Sequence, residues 1–302
     1  MSQAADITWI AADWGTTNLR VWGIGRDGRV VAQGKSEQGM ATLAQGAFES
    51  ALLSLIKDWL DTPKPVIACG MVGARQGWCE APYATVPCEP LAPTLIEAPT
   101  DHPNLSLHII SGLKQTNPAD VMRGEETQIA GFLKLNPKWD GVICLPGTHS
   151  KWAHLSAGEV VSFQTFMTGE IYSFLRHNSV LKHSLAGGEW HQEAFETALS
   201  DAMSKPEMLA ARLFNIRAED LVNGQDVSVA KSRLSGFLLG AELAATRPYW
   251  LGQQVALIGS DQVAPAYAQA LKVQGVPVIE TDPTAMTLAG LASAYAQLKA
   301  TP

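Results

Sequence analysis

The chain has 302 residues, 46% of them hydrophobic and 17% charged, with a formal net charge of −7. That length can bury one large core or two of ordinary size, and two is the expectation. The composition excludes a disordered chain, the lack of a long apolar run excludes a helical membrane span, and the acidic balance excludes a general affinity for nucleic acid.

The N-terminus, MSQAADITWI, lacks the basic and apolar regions of a secretory leader, so a cytoplasmic protein is expected. Apolar Ile7, Trp9, Ile10 and Ala12, then Leu19, Val21, Trp22 and Ile24, predict two strands of a hairpin around the tip Gly15-Thr16-Thr17-Asn18. Gly15 lets backbone approach a ligand, and the hydroxyls and amide beside it add donors, so the tip suits either a phosphate or an ordinary polar turn. Asp13 would repel a bare phosphate but suits a phosphate-bound magnesium ion. Ala47 to Leu60 and Pro206 to Phe214 have helical spacing, while Val66 to Ala68 and Leu107 to Ile110 read as short buried strands. Gly236 and Gly240, four apart, permit close packing of a helix. The segment VALIGSDQVAPAYAQAL predicts strand, turn at Gly259-Ser260, then helix; VPVIE predicts a strand, and a small-residue helix starts near Thr284 after Asp282 and Pro283. Cys69, Cys79, Cys88 and Cys144 lack the paired spacing of a zinc site and are expected to be reduced, mostly buried thiols.

The opening hairpin has an echo. From Gly141, GVICLPGTHSKWAHLSAGEVVSFQTF again offers strand, polar tip, strand, turn and strand, with Gly147-Thr148-His149-Ser150 in the place of Gly15-Thr16-Thr17-Asn18. The turn before Val160-Val161 matches that before Val30-Val31 with two residues fewer, which keeps the strand alternation. Two similar halves with two similar tips predict an α/β chain with a ligand cleft between duplicated domains.

With these tips and the strand-glycine-helix unit in view, the chain resembles sugar kinases of the actin, hexokinase and Hsp70 superfamily. DWGTT at 13–17 is similar to its first phosphate motif, LPGTHS at 145–150 to its second, and LIGSDQ at 257–262 to its adenosine motif. More narrowly, DWGTTNLRVW, CGMVGARQGWCEAPY, MRGEETQIAGF, LPGTHSKW, TFMTGEIYSFL and SRLSGFLLGAEL resemble, in order over essentially the whole chain, the 2-dehydro-3-deoxygalactonokinase family. The resemblance implies two duplicated actin/hexokinase-like (ribonuclease H-like) domains around an ATP cleft. Residues 1–131 would carry the first phosphate motif and the sugar-acid pocket, and residues 132–302 the second phosphate and adenosine motifs. It departs from the superfamily at Pro146, where a polar or acidic residue is common, and in a GSDQ turn poorer in glycine than usual.

The same resemblance implies ATP and Mg2+ as cofactors, a small-molecule sugar acid as substrate, and no nucleic-acid or membrane partner; a homodimer stays open. Asp13 would serve the metal and the chemistry. Gly15, Thr16 and Thr17 would hold phosphate with Gly147, Thr148 and His149, and Gly259 and Ser260 would meet the nucleoside. Arg20 and Lys151 read as solvated or paired cations. Glu125, directly after Gly124, is the expected base, with Glu126 second; successive helix positions cannot both face the same way. Acids also favour a helix N-terminus for structural reasons alone. A guanidinium matches a sugar acid's carboxylate, so Arg75 and then Arg123 are the expected ligands, with Gln76, Trp78 and Glu80 shaping the pocket. Core packing is the alternative for Trp78, and a helix cap the alternative to a polar contact for Thr168. The implied activity is phosphorylation of 2-dehydro-3-deoxy-D-galactonate at its terminal hydroxyl, in galactonate breakdown. The rivals are a kinase for the gluconate epimer and an ATP-binding sensor of the same fold that does no chemistry.

Overall fold

A computed structural model describes residues 6–300. The first stretch runs β1 (Ile7–Trp14), β2 (Leu19–Gly25), β3 (Val30–Ser36), α1 (Phe48–Ile56), β4 (Lys64–Gly70), β5 (Ala84–Thr85), β6 (Ile96–Ala98), β7 (Leu105–Ile109), β8 (Leu113–Thr116), β9 (Ala119–Met122) and α2 (Glu125–Leu135). Next come β10 (Gly141–Leu145), β11 (Ser150–Ser156), β12 (Glu159–Phe166), α3 (Thr168–Asn178), α4 (Gln192–Ser204), α5 (Leu209–Asn223), α6 (Val227–Ala245) and α7 (Arg247–Trp250). The chain closes with β13 (Val255–Ile258), α8 (Ala264–Val273), β14 (Val278–Thr281) and α9 (Pro283–Ala300). It forms two compact units. One holds the described chain up to Trp139, Leu155–Ser162 and the segment from Pro283 on; the other holds Asp140–His154 and Phe163–Asp282. The boundary expected at 131/132 falls inside α2, and α9 joins the first unit rather than the second.

The six-stranded sheet of the first unit has the order β3-β2-β1-β4-β7-β6. β1, β2 and β3 form an antiparallel meander, and β4 and β7 extend it in parallel from β1. Period-two alternation separates its faces. Ile10, Ala12 and Trp14 join Phe48, Leu52 and Ile56 of α1 in one core. Trp9 and Ala11 join Leu291 and Ala294 of α9 in the other, where Trp9 stacks on Tyr295 with ring centroids 4.6 Å apart. A register irregularity between Ile7 and Trp9 returns Ile7 to the α1 face. Two small residues let α2 and α9 cross closely: a Cβ on Gly131 would collide with the Met286 carbonyl, and one on Gly290 with that of Thr127.

A five-stranded sheet has the order β12-β11-β10-β13-β14, with β13 parallel to both β10 and β14. Three sequential strands followed outward by parallel ones repeats the β3-β2-β1-β4-β7 pattern. The repeat read in the sequence is thus a repeat of topology, and the duplicated α/β architecture is present. Around this sheet Val142, Cys144, Trp152 and Leu257 pack with α4, α6 and α8. α4 and α6 meet through Gly236 and Gly240, whose added Cβ atoms would strike the carbonyls of Phe195 and Leu199. That is the close helix packing expected of the four-residue spacing. Among the described residues no helix is long and apolar enough to cross a membrane.

Candidate active site

In the first unit the alternation that sends Trp14 into the α1 core turns Asp13 to the opposite face, at the carboxyl end of β1. Parallel pairing sets Cys69 of β4 beside it, with Sγ 3.8 Å from Asp13 Oδ1. Carboxyl ends of parallel strands are where open α/β sheets bind ligands. Two glycines make the crowding there tolerable. Gly70, with φ +87°, would put a Cβ 2.6 Å from the Trp14 carbonyl, and Gly124, with φ +107°, would put one 3.4 Å from Gly70 Cα. Burial and the nearby Asp13 charge push the Cys69 thiol well above its ordinary range, so it is no nucleophile.

The tip after β1 is braced from behind. The carbonyls of Gly15, Thr16 and Thr17 accept hydrogen bonds from the amides of Met40, Ala41 and Gly39. In a planar trans peptide the next N–H points the other way, so the amides of Thr16, Thr17 and Asn18 point away from this brace. The result is a run of exposed donors of the kind that holds anions. Gly15 contributes by fit rather than as a donor, since its own N–H is spent on the Asn18 carbonyl at 2.8 Å. Asp13, Gly15, Thr17, Asn18, Arg20 and Lys35 line a pocket of about 320 Å³, a small ligand's volume. Arg20, expected as a solvated or paired cation, is paired: its Nη2 donates to Asp13 Oδ2. No group of three His, Cys, Asp or Glu side chains among the described residues could hold a metal. Asp13 offers a single carboxylate beside the tip, the donor that a hydrated magnesium ion takes together with ligand phosphates.

The two acids at the start of α2 diverge. Glu126 is fully buried; its Oε2 accepts from Gly124 N at 2.6 Å and its Oε1 from the Thr127 hydroxyl at 3.0 Å. Burial first, and the neighbouring Glu125 charge second, raise its pKa from 4.5 to about 8. Glu125 is half-buried, with Oε2 accepting from Arg123 N at 3.1 Å. Only Glu125 has solvent on one side. Arg123 is buried, with its guanidinium 4.3 Å over the Tyr83 ring, Nη2 donating to the Ala81 carbonyl at 2.7 Å, and Nε and Nη1 without a hydrogen-bond partner. It pins the loop that carries Arg75, Gln76 and Glu80, all three of them exposed. Trp78 is half-buried: it meets the Trp14 ring edge-on at 6.2 Å and donates to the Pro99 carbonyl at 3.0 Å.

In the second unit the tip between β10 and β11 is braced in the same manner. The Thr148 carbonyl accepts from Glu170 N at 2.9 Å and the His149 carbonyl from Lys151 Nζ at 3.2 Å. Lys151, expected as a solvated or paired cation, is buried and bonded to the His149 carbonyl. His149 Nε2 lies 2.5 Å from the Glu170 carboxylate, so the imidazole is held beside the tip. α3 reaches this close because its second residue is glycine: a Cβ on Gly169 would collide with the Gly147 carbonyl. Pro146, the odd residue of the motif, has a packing role, since a Cβ on Gly259 would touch its ring at 3.3 Å. Thus the Gly259 turn sits against the second tip, Gly259 buried and Ser260 exposed. Unforeseen in the sequence were this α3 clamp, the burial of Lys151 and a buried acid, Glu242, on α6. A lone carboxylate inside the apolar run SGFLLGAEL was the available signal for the last.

The family model for 2-keto-3-deoxy-galactonokinase matches residues 13–294, from the Asp13 tip into α9. The chain belongs to this family. Its similarity to a Rhizobium meliloti (strain 1021) protein named as a probable 2-dehydro-3-deoxygalactonokinase is 37% identity over 95% of the chain and 96% of the relative. With the Escherichia coli (strain K12) 2-dehydro-3-deoxygalactonokinase it is 32% identical, over 89% of the chain and 91% of that relative. A crystal structure from Sinorhizobium meliloti, assigned as a 2-dehydro-3-deoxygalactonokinase protein, superposes with a TM-score of 0.88 at 34% identity, covering 96% of this chain and 99% of that one. Both braced tips, the Gly124-Glu125-Glu126 start of α2 and the Gly259 turn of this galactonokinase family member lie inside the matched range.

Proposed function

We propose that the protein transfers the terminal phosphoryl group of ATP to the 6-hydroxyl of 2-dehydro-3-deoxy-D-galactonate, releasing ADP and the 6-phospho sugar acid of galactonate catabolism. The observation that carries this is family membership over 13–294 together with a half-buried acid, Glu125, placed where α2 begins. Glu125 takes the hydroxyl proton as the oxygen attacks the terminal phosphorus, because Glu126 is enclosed and cannot meet a substrate. Thr16, Thr17 and the amides around them hold the transferred phosphate. Gly147, Thr148 and His149, with the buried Lys151 charge behind them, serve the nucleotide phosphates, and Gly259 and Ser260 serve the nucleoside. Asp13 holds the magnesium ion that neutralises phosphate charge when ATP is bound. Arg75 takes the sugar acid's carboxylate, with Gln76 and Glu80 beside it, while the buried Arg123 holds their loop in place. In this assignment the first unit is the sugar-acid and metal domain, and the second is the nucleotide domain.

The test is a coupled ADP-release assay on purified protein with this sugar acid and, in parallel, its gluconate epimer. Turnover on the galactonate-derived acid is expected to exceed that on the epimer; no ADP release above background with either refutes the proposal. Glu125→Gln should cut kcat by about a thousandfold while ATP binding is kept.

A further inference from the structure

Glu242, 2% exposed on α6, has no part in the chemistry proposed above. Three neutral donors from three elements converge on it: Trp152 Nε1 of β11 at 2.8 Å, the Tyr267 hydroxyl of α8 at 2.9 Å, and the hydroxyl of Thr168, the first residue of α3. Tyr267 has a single hydroxyl proton and gives it to Glu242, so the Ser150 hydroxyl, 2.6 Å away, must donate to Tyr267. Removing a carboxylate from water is costly, and a well-packed apolar side chain in such a place is often as stable or more so. Stability therefore does not account for an acid here.

Its connections do. One route runs from Glu242 through Tyr267 to Ser150, the residue directly after Thr148-His149. The other runs through Thr168 to the start of α3, whose Gly169 backbone lies against Gly147, whose Glu170 N–H holds the Thr148 carbonyl, and whose Glu170 carboxylate holds His149. Tyr267 also ties in α8, the helix that follows the Gly259 turn. We propose that Glu242 is a positioning residue for the nucleotide: it fixes the second tip, the start of α3 and α8 in one register from beneath. This rests on reading the second tip and the Gly259 turn as nucleotide-handling.

The experiment compares full-length wild type with Glu242→Leu, Glu242→Gln and Tyr267→Phe, measuring ATP binding by calorimetry and KM for each substrate. Glu242→Leu is expected to keep its circular dichroism spectrum and to weaken ATP binding about tenfold or more, the effect of losing one to two buried hydrogen bonds. The sugar-acid KM should stay within about twofold, Glu242→Gln should recover most of the affinity, and Tyr267→Phe should fall between. If Glu242→Leu does not fold, Tyr267→Phe carries the same comparison. Variants that bind ATP as wild type does, or that lose affinity for both substrates equally, overturn the proposal. Failure of the kinase reading would show in the wild type itself, as ATP binding without transfer, and the ATP titrations would still decide the role of Glu242.

Discussion

Replacing Glu126 by glutamine should make the protein more stable in alkali and leave it nearly unchanged in mild acid. The folded state holds the Glu126 proton up to about pH 8, whereas the unfolded chain releases it near 4.5. Between those values the native state binds more protons than the unfolded one, so stability is full below 4.5 and is lost as the pH rises toward 8. At 1.36 kcal/mol per pH unit, the gap gives a ceiling of about 5 kcal/mol, and mutual repulsion with Glu125 is already part of it. Glutamine keeps an acceptor for Gly124 N and cannot ionise. Urea unfolding of wild type and Glu126→Gln, at about pH 5 and about pH 9, isolates this group because all other titrations cancel in the comparison. The variant's advantage should grow by several kcal/mol between the two conditions. An advantage that does not change with pH would refute the burial argument. Retained turnover in the same variant would agree with Glu125 as the base, and its loss would move that role inward.

Gly290→Ala should lower stability by about 3 kcal/mol, because its methyl group meets the Thr127 backbone, which has no rotamer to give; an unchanged thermal midpoint would refute this. Gly169→Ala should displace the second tip and raise the KM for ATP about tenfold, with the sugar-acid KM unaffected in initial-rate measurements. Asp13→Asn should raise the magnesium concentration needed for half-maximal rate and lower kcat, since the carboxylate shared with Arg20 is lost; an unchanged magnesium titration would remove Asp13 from the metal site.

The fold was legible where a local pattern decides it. The alternation through Ile7 to Ile24, its echo after Gly141, and the strand-turn-helix around Gly259 all became the expected elements, because period-two burial and glycine turns are properties of short segments. The site was legible by residue type more than by environment. Both tips were visible, yet that residues 39–41 brace the first tip, that Lys151 is enclosed and that Trp78 packs on Trp14 depend on segments distant in sequence. The division of the chain was least legible. The resemblance implied a helix near Thr284 that leads back, but where it docks on strands laid down at residues 7 and 64 is determined by the fit of Gly290 and Ala294 against α2 and the sheet.

That return has a consequence for synthesis. Residues 140–154 and 163–282, the whole of the second unit, leave the ribosome before α9 exists, so that core can close while the first unit still lacks one of its two covers. Until α9 emerges, Trp9, Trp22 and Ile67 lack the helix that covers them. Loss of α9 would therefore uncover apolar surface on the first unit while leaving the core around Val142, Trp152 and Leu257 with all of its own helices.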